Sequence, residues 1–223
     1  MSARVKELRI AVNPETDVSA LLMHRADATA LYVLAHGAGA GMKHSFMELL
    51  AGALLERRVA TLRYQFPYME RGSKRTDPPP LCHATVRAAV QKGAQLLPDI
   101  PLFAGGKSFG GRMTSQAQSA APLPGVRGLI FTGFPLHPAK EPSSSRAAHL
   151  DAVDIPMLFL QGTRDELADW ALIESLTQRL GQRATLARIE AADHSFHVLA
   201  RSGRNDSQVL SELADRIAEW TSR

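Results

Sequence analysis

A serine flanked by glycines has the spacing of a hydrolytic nucleophile. Residues 106–110 read Gly-Lys-Ser-Phe-Gly and fit the pattern Gly-x-Ser-x-Gly, with Ser108 at the centre. A predicted strand, Leu102–Ala104, precedes this motif, and a predicted helix, Gly111–Ala120, follows it. A tight turn between a strand and a helix lifts a serine hydroxyl out of the sheet edge, where it can attack a carbonyl carbon. We therefore predict Ser108 as a nucleophile.

The same residues also resemble the end of a phosphate-binding loop, which reads Gly-Lys-Ser. That loop requires a further glycine five residues before its Gly-Lys-Ser glycine. Position 101 is a proline, Pro101, so the sequence excludes this nucleotide-binding motif.

A serine nucleophile needs a base, and the base needs an acidic group to orient it. Asp165 follows the predicted strand Pro156–Leu160, and His194 follows the next predicted strand, Thr185–Glu190. Both residues therefore lie just beyond strand ends, where loops of neighbouring parallel strands meet. We predict His194 as the general base and Asp165 as its orienting acid.

Other acidic residues compete for the role of the orienting acid. Glu166 and Asp169 follow the same strand as Asp165. Asp193 is adjacent to His194, but adjacent side chains usually diverge, so we expect Asp193 to be structural.

A glycine-rich loop is the predicted source of an oxyanion hole. Residues 36–41 read His-Gly-Ala-Gly-Ala-Gly and follow a predicted strand. Backbone N–H groups of such a loop, together with the N–H of the residue after the nucleophile, can stabilise a tetrahedral intermediate. We predict Phe109 and Ala38 as the two donors, with Gly37 and Gly39 as alternatives to Ala38.

Further residues are candidates for substrate contact or for bracing the site. His36 is expected to brace the turn that follows its strand. Residues 64–80 carry aromatic and basic side chains and form either a pocket wall or a solvated loop. Arg112 and Lys107 flank the motif, and either form ion pairs or favour an acidic acyl group. The predicted substrate contacts are Gly37, Tyr68, Lys107 and His137.

Strand-like apolar runs alternate with helical stretches along the chain, which predicts an α/β fold with a mostly parallel sheet and helices on both faces. The predicted strands are Arg4–Val12, Ser19–Met23, Ala30–Ala35, Val59–Tyr64, Leu102–Ala104, Val126–Thr132, Pro156–Leu160 and Thr185–Glu190. The predicted helices are Phe46–Arg57, His83–Leu97, Gly111–Ala120, Asp169–Leu180 and Gln208–Trp220. Residues 65–82 contain several prolines and are predicted as a loop. We expect residues 1–223 to form a single domain.

Composition narrows the function classes. The 223 residues include 26 basic and 22 acidic side chains, and no block of five like charges suggests a nucleic-acid-binding tail. The single cysteine, Cys82, excludes an intrachain disulfide and fits a reducing compartment. The N-terminal segment lacks the apolar region of a signal peptide. We expect a cytoplasmic monomer or homodimer that uses no metal or cofactor and has no nucleic-acid or membrane partner.

Together these segments resemble the α/β-hydrolase superfamily over nearly the whole chain. More narrowly, they resemble a small dienelactone-hydrolase-like family, which includes bacterial predicted hydrolases and the hydrolase-like domain of a subunit of a chromatin acetyltransferase complex. The resemblance implies the chain order Ser, Asp, His for the catalytic residues. Many members of the superfamily carry a lid domain in the segment that corresponds to Gly133–Leu150. In this sequence the segment is too short for a large lid. The segments that carry the resemblance are His36–Gly39, Phe66–Tyr68, Gly106–Arg112, Gly133–His137 and Asp193–Phe196.

Two classes of function remain open at this point. The first is a serine hydrolase that acts on a small carboxyl ester, thioester or lactone through an acyl-enzyme. The second is a hydrolase-shaped binding or scaffold protein with little turnover. A complete set of Ser108, Asp165 and His194 favours the first class.

Overall fold

The computed structural model of the protein describes residues 4–223, so residues 1–3 of the predicted domain lie outside the described residues. Eight strands in this range form one sheet: β1 Arg4–Asn13, β2 Thr16–His24, β3 Ala30–Ala35, β4 Val59–Tyr64, β5 Leu102–Lys107, β6 Val126–Thr132, β7 Met157–Gly162 and β8 Ala184–Ile189. The α-helices are α1 Ser45–Glu56, α2 Pro67–Glu70, α3 Pro79–Leu96, α4 Phe109–Ala120, α5 Trp170–Leu180 and α6 Asp206–Thr221. Short 3-10 turns occur at Ser145–Ala152, Gly181–Arg183 and Ala200–Ser202.

The sheet has the strand order β1-β2-β4-β3-β5-β6-β7-β8. The hairpin β1–β2 and the pair β2–β4 are antiparallel, and every other neighbouring pair is parallel. The predicted α/β fold with a mostly parallel sheet is therefore confirmed. Because β3 to β8 run in one direction, their carboxyl ends share one edge, where ligands bind in such sheets.

Helices cover both faces of the sheet and bury two separate apolar clusters. The larger cluster packs α3, α4 and α5 against one face, with Val86, Met113 and Ile173 among its members. The smaller cluster packs α1 and α6 against the other face and includes Leu50 and Leu213; we call it the α1/α6 layer. Burying one such side chain fully stabilises the fold by about 1.5–3 kcal/mol.

The region predicted as one long loop contains helix. Within residues 65–82, α2 forms after β4, and α3 begins at Pro79 rather than near His83. Proline is compatible with the first turn of a helix because the N–H that it lacks has no partner there. The prolines that predicted a loop therefore mark the start of α3.

β5 and α4 also extend further toward Ser108 than predicted. β5 continues through Gly105 and Gly106 to Lys107, and α4 begins at Phe109. A β carbon on Gly105 would overlap the backbone carbonyl of Ile130 on β6. Glycine is therefore required here because neighbouring strands approach too closely for a side chain.

The connection between β6 and β7 carries no large insertion. Its one regular element among the described residues is the 3-10 turn Ser145–Ala152. The sheet edge above Ser108 is therefore not covered by a lid from this connection. Within residues 4–223, none of the helices combines the length and the apolar character needed to cross a membrane.

Candidate active site

Ser108 lies in the sharp turn between β5 and α4. Its backbone has a φ of 50° and a ψ of −115°, an unusual conformation for a residue with a side chain. Gly110 makes the turn possible, because a β carbon there would be 2.5 Å from the backbone oxygen of His36. The start of α4 thus packs directly on the end of β3, and the turn presents the serine hydroxyl at the sheet edge.

The structure brings together the three residues predicted for acid–base chemistry. Ser108 Oγ is 2.9 Å from His194 Nε2, and His194 Nδ1 is 2.8 Å from Asp165 Oδ2. The Asp165 side chain is fully buried, whereas 23% of the His194 side chain is exposed. A neutral imidazole that donates from Nδ1 to the carboxylate leaves Nε2 free to accept the serine proton.

Hydrogen bonds hold the Asp165 carboxylate in place. Gln161, at the end of β7, donates from Nε2 to Oδ2 at 2.5 Å, and the backbone N–H of Leu167 donates to Oδ1 at 2.8 Å. Gln161 is itself fixed, because its Oε1 accepts the backbone N–H of Phe134 at 2.9 Å. The sequence interpretation did not identify Gln161 as a partner of Asp165. A polar residue near the end of an otherwise apolar strand could have indicated this role.

The competing acidic residues have other surroundings. Glu166 is exposed, and Asp169 accepts the Leu172 N–H at 3.2 Å and so caps the start of α5. Neither residue hydrogen-bonds to His194, whose Nδ1 faces Asp165. The geometry therefore favours Asp165 as the acid that orients the imidazole.

Asp193 shapes the turn that carries His194. Its Oδ1 accepts the backbone N–H groups of Ser195 at 2.8 Å and His197 at 2.9 Å. We call residues 193–197 the histidine turn. Within it Phe196 has a positive φ of 67°, and its ring is buried beside the site. Asp193 thus acts through the backbone, in line with the structural role expected for it.

Lys107 connects the nucleophile turn to the histidine turn. Its Nζ donates to the backbone oxygen of His194 and lies 5.0 Å from the ring centre of Phe196 and 5.8 Å from that of Phe46. Burial lowers the pKa of Lys107 to about 8, although the charges of Asp165 and Asp193 oppose this shift. Within residues 4–223, Lys107 has no carboxylate at ion-pair distance, so its bond to His194 is its main polar anchor.

Both predicted oxyanion donors lie in segments that adjoin Ser108. Phe109 opens α4, and the first N–H groups of a helix have no acceptor within the helix. Ala38 lines the cavity that adjoins Ser108. The hydroxyl of Tyr68 donates to the Ala38 backbone oxygen at 2.8 Å and so fixes the orientation of this loop.

His36 braces the same loop as a neutral imidazole. Its Nδ1 lies 2.8 Å from the Gly37 backbone oxygen, and its Nε2 accepts the Phe66 backbone N–H at 3.0 Å. Burial lowers the pKa of His36 to about 4. The ring therefore stays uncharged at neutral pH and connects the end of β3 to the segment after β4.

A cavity of about 590 Å³ opens beside Ser108 and His194. It lies between the glycine-rich loop, the histidine turn and the first turns of α1 and α6, and we call it the α1/α6 cleft. Gly37 and Lys107, two of the predicted substrate contacts, line it. Its apolar walls consist of Phe46, Met47, Leu49, Phe196 and Leu210.

The other two predicted substrate contacts are not part of the cleft lining. Tyr68 is buried, and its backbone N–H donates to Asp77 at 2.7 Å. His137 is also buried; its Nδ1 is 2.7 Å from the Pro138 oxygen, and its Nε2 accepts the Asp169 N–H at 2.9 Å. Both side chains brace loops, and residues 64–80 do not form the wall of the α1/α6 cleft.

A second serine–histidine pair lies away from the cleft. Ser115 Oγ is 2.7 Å from His149 Nε2, but Ser115 is buried in the middle of α4. Burial lowers the pKa of His149 to about 4. A fully buried hydroxyl cannot meet a substrate, so this pair is structural. Over residues 4–223, no group of three potential ligands from His, Cys, Asp and Glu is arranged to bind a metal ion.

Comparisons with known proteins place this geometry in a family. A dienelactone hydrolase from Anabaena variabilis is 18% identical in sequence, with 99% of this chain and 97% of that chain covered and a TM-score of 0.76. A lidless α/β serine hydrolase from Xanthomonas campestris is 20% identical, with coverages of 99% and 96% and a TM-score of 0.74. Est1E from Butyrivibrio proteoclasticus is 16% identical, with coverages of 97% and 99% and a TM-score of 0.70. These structures share the fold, and the family model described as "Alpha/beta hydrolase domain" matches residues 28–222. The chain therefore belongs to the α/β hydrolase domain family.

Proposed function

We propose that the protein is a serine hydrolase that cleaves a small carboxyl ester, thioester or lactone through an acyl-enzyme. The observation that carries the proposal is the continuous hydrogen-bonded chain from Ser108 through His194 to Asp165. The similarity to a dienelactone hydrolase and to a lidless serine hydrolase supports it at the level of the fold. The protein works as a cytoplasmic enzyme on a small molecule.

The first half of the reaction acylates the serine. His194 Nε2 takes the proton of Ser108 as Oγ attacks the substrate carbonyl carbon, and the N–H groups of Phe109 and Ala38 bind the resulting oxyanion. Asp165 holds the imidazole in the required tautomer and stabilises its protonated form. When the tetrahedral intermediate collapses, His194 gives the proton to the leaving oxygen or sulfur.

The second half releases the acid. His194 takes a proton from water, whose oxygen attacks the acyl carbon, and the same N–H groups bind the second oxyanion. Collapse breaks the bond to Oγ, and the proton returns to Ser108. Apart from the substrate and one water molecule, every group named in this sequence belongs to the chain.

The test is covalent labelling with a fluorophosphonate probe, which requires an activated serine. Wild type should be labelled, Ser108→Ala should not, and kcat for a p-nitrophenyl ester should fall on the order of 10⁴-fold or more in that variant. Ser115→Ala is the matched control, because it removes a serine that is also bonded to a histidine, His149, but is buried.

Equal labelling of wild type and Ser108→Ala, or no labelling of either, would contradict the proposal. The absence of labelling in a folded wild-type protein would favour the scaffold alternative.

A further inference from the structure

We infer that the α1/α6 cleft receives an extended apolar part of the ester, in its acyl or its alcohol portion, and that Phe46, Leu49 and Phe196 set the preference for chain length. This inference rests on the proposed function. The inference adds a substrate class to the proposed function: neutral esters with an apolar chain of medium length.

Apolar side chains form much of the cleft lining, beside polar residues such as His44, Ser45 and Ser195. The ring of Phe196 is 3% exposed and stacks on Phe46, with ring centres 5.8 Å apart and an angle of 12° between the ring planes. Leu49 lies one turn after Phe46 on the same side of α1, and Leu210 on α6 lines the same cleft. A chain attached to the ester carbon or oxygen at Ser108 would therefore contact hydrocarbon on two sides.

The volume of the cleft suits such a chain. About 590 Å³ lies within the range of cavities that enclose most of a drug-sized ligand. A two-carbon acyl group would leave most of this space to water, whereas a chain of several methylenes would displace it. Each methylene removed from water favours binding about fourfold.

Lys107 is the cation at the floor of the cleft, and it does not call for an anionic substrate. Its Nζ already donates to the His194 backbone oxygen and lies against the faces of Phe196 and Phe46. Two aromatic faces stabilise an ammonium group without an anion. Its stem contributes further hydrocarbon to the cleft floor.

Hydrogen bonds hold the rim of the cleft in place. Asp206, at the start of α6, accepts from His197 Nδ1 at 2.5 Å and from the Val198 backbone N–H at 3.1 Å. These bonds tie α6 to the histidine turn and place a polar rim around apolar walls. A pocket fixed in this way does not spend binding energy on ordering itself.

Leu49 offers the sharpest probe of this inference. Its side chain lines the cleft, yet the residue is 60% exposed, so Leu49→Asp should fold. Val5 is 53% exposed on the edge strand β1 and does not line the cleft, which makes Val5→Asp the matched control. Both variants exchange an exposed aliphatic side chain for a carboxylate.

The measurement is the ratio of kcat/KM for p-nitrophenyl octanoate to that for p-nitrophenyl acetate, with octyl acetate and ethyl acetate as a second series that varies the alcohol. We expect the longer chain to be preferred by at least about tenfold in one series. Leu49→Asp should lower that preference at least about fivefold, and Val5→Asp should leave it as in wild type. Flat profiles in both series, or equal effects of the two variants, would overturn the inference.

Binding of octanamide, which cannot be cleaved as an ester, separates this inference from the proposed function. Calorimetric titration into Ser108→Ala should show binding that the added Leu49→Asp change weakens. If fluorophosphonate labelling fails but octanamide binds in this way, the cleft assignment stands and the hydrolase assignment falls. Labelling without octanamide binding and without chain-length preference would refute the cleft assignment alone.

Discussion

Replacing Gln161 by leucine should weaken the fold and the proposed catalytic chain together. The side chain is fully buried, donates to Asp165 Oδ2 at 2.5 Å and accepts the Phe134 N–H at 2.9 Å. Leucine has a similar size but makes neither bond. The change therefore removes a hydrogen bond to a charged group, worth about 1.5–3 kcal/mol, and leaves a buried N–H unpaired at a cost of about 1–3 kcal/mol.

Gln118→Leu provides a matched control within the same molecule. Gln118 is also buried, and its Oε1 accepts the Leu123 backbone N–H at 2.8 Å, but it has no contact with a carboxylate. Its loss should cost only the unpaired N–H, about 1–3 kcal/mol. Gln161→Leu should therefore be the less stable variant by about 2 kcal/mol, which corresponds to a Tm lower by about 4–8 °C in a chain of this length.

The assay combines urea unfolding with turnover of a p-nitrophenyl ester. Because Asp165 loses one of its donors, Gln161→Leu should lower kcat about tenfold to a hundredfold, as small misplacements of reacting groups do. Gln118→Leu should keep the wild-type kcat. Equal losses of stability in both variants, with kcat unchanged in both, would refute the role assigned to Gln161.

Two further predictions concern the residues around Ser108. Gly110→Ala would bring a β carbon to 2.5 Å from the His36 oxygen, so urea unfolding should show a loss of about 1–3 kcal/mol and fluorophosphonate labelling should slow. Gly52 lies in the middle of α1, and a β carbon there would have nothing within 4 Å. Gly52→Ala should therefore stabilise the fold by about 0.5–1 kcal/mol. A stabilising effect of Gly110→Ala would contradict the close packing at the turn. Burial lowers the pKa of Lys107 from 10.5 to about 8, so the unfolded chain binds more protons between these values and the free energy of unfolding should rise with pH there. Urea unfolding of Lys107→Met across this window should lack that rise, and an identical slope in both proteins would refute the assignment.

Continuous apolar runs were the most reliable signal in the sequence. β3, β4 and β6 have the predicted bounds. β3 is a continuous apolar run, whereas β4 and β6 are mostly apolar and include Arg63 and Arg127. Ser108, Asp165 and His194 were placed beyond the ends of three other predicted strands, Leu102–Ala104, Pro156–Leu160 and Thr185–Glu190. Parallel strands bring their carboxyl ends together, so these positions predicted a shared site.

Glycine and proline were misread, one because of tertiary packing and the other because of its position in a helix. Glycine is disfavoured in strands, yet β5 needs Gly105 because β6 lies too close for a side chain. Three prolines suggested a loop at 78–80, but Pro79 begins α3. The contact at Gly105 comes from a strand that is distant in sequence, whereas Pro79 follows a local rule, because the first turn of a helix tolerates proline.

The position of the cleft was also beyond the reach of the sequence. The aromatic side chains of residues 64–80 suggested a pocket wall, but Phe66 and Tyr68 are fully buried against Phe109 and His36. The gap opens instead between α1 and α6, and the relative spacing of two helices depends on how their buried faces pack. Periodicity shows which face of a helix is apolar, but it does not show where two packed helices leave a cavity between them.

Because the sheet separates the two apolar clusters, the side chains that line the cleft can change independently of those that pack beneath α4. The cleft walls from α1 and α6 belong to one face, whereas α4, which follows the nucleophile, packs mainly on the other. Exchanges at Leu49 or Leu210 therefore reshape the space for a ligand while the packing beneath α4 stays intact. Under the proposed cleft assignment, single substitutions on one side of the molecule would change the ligand preference without repeated readjustment of the strained turn at Ser108.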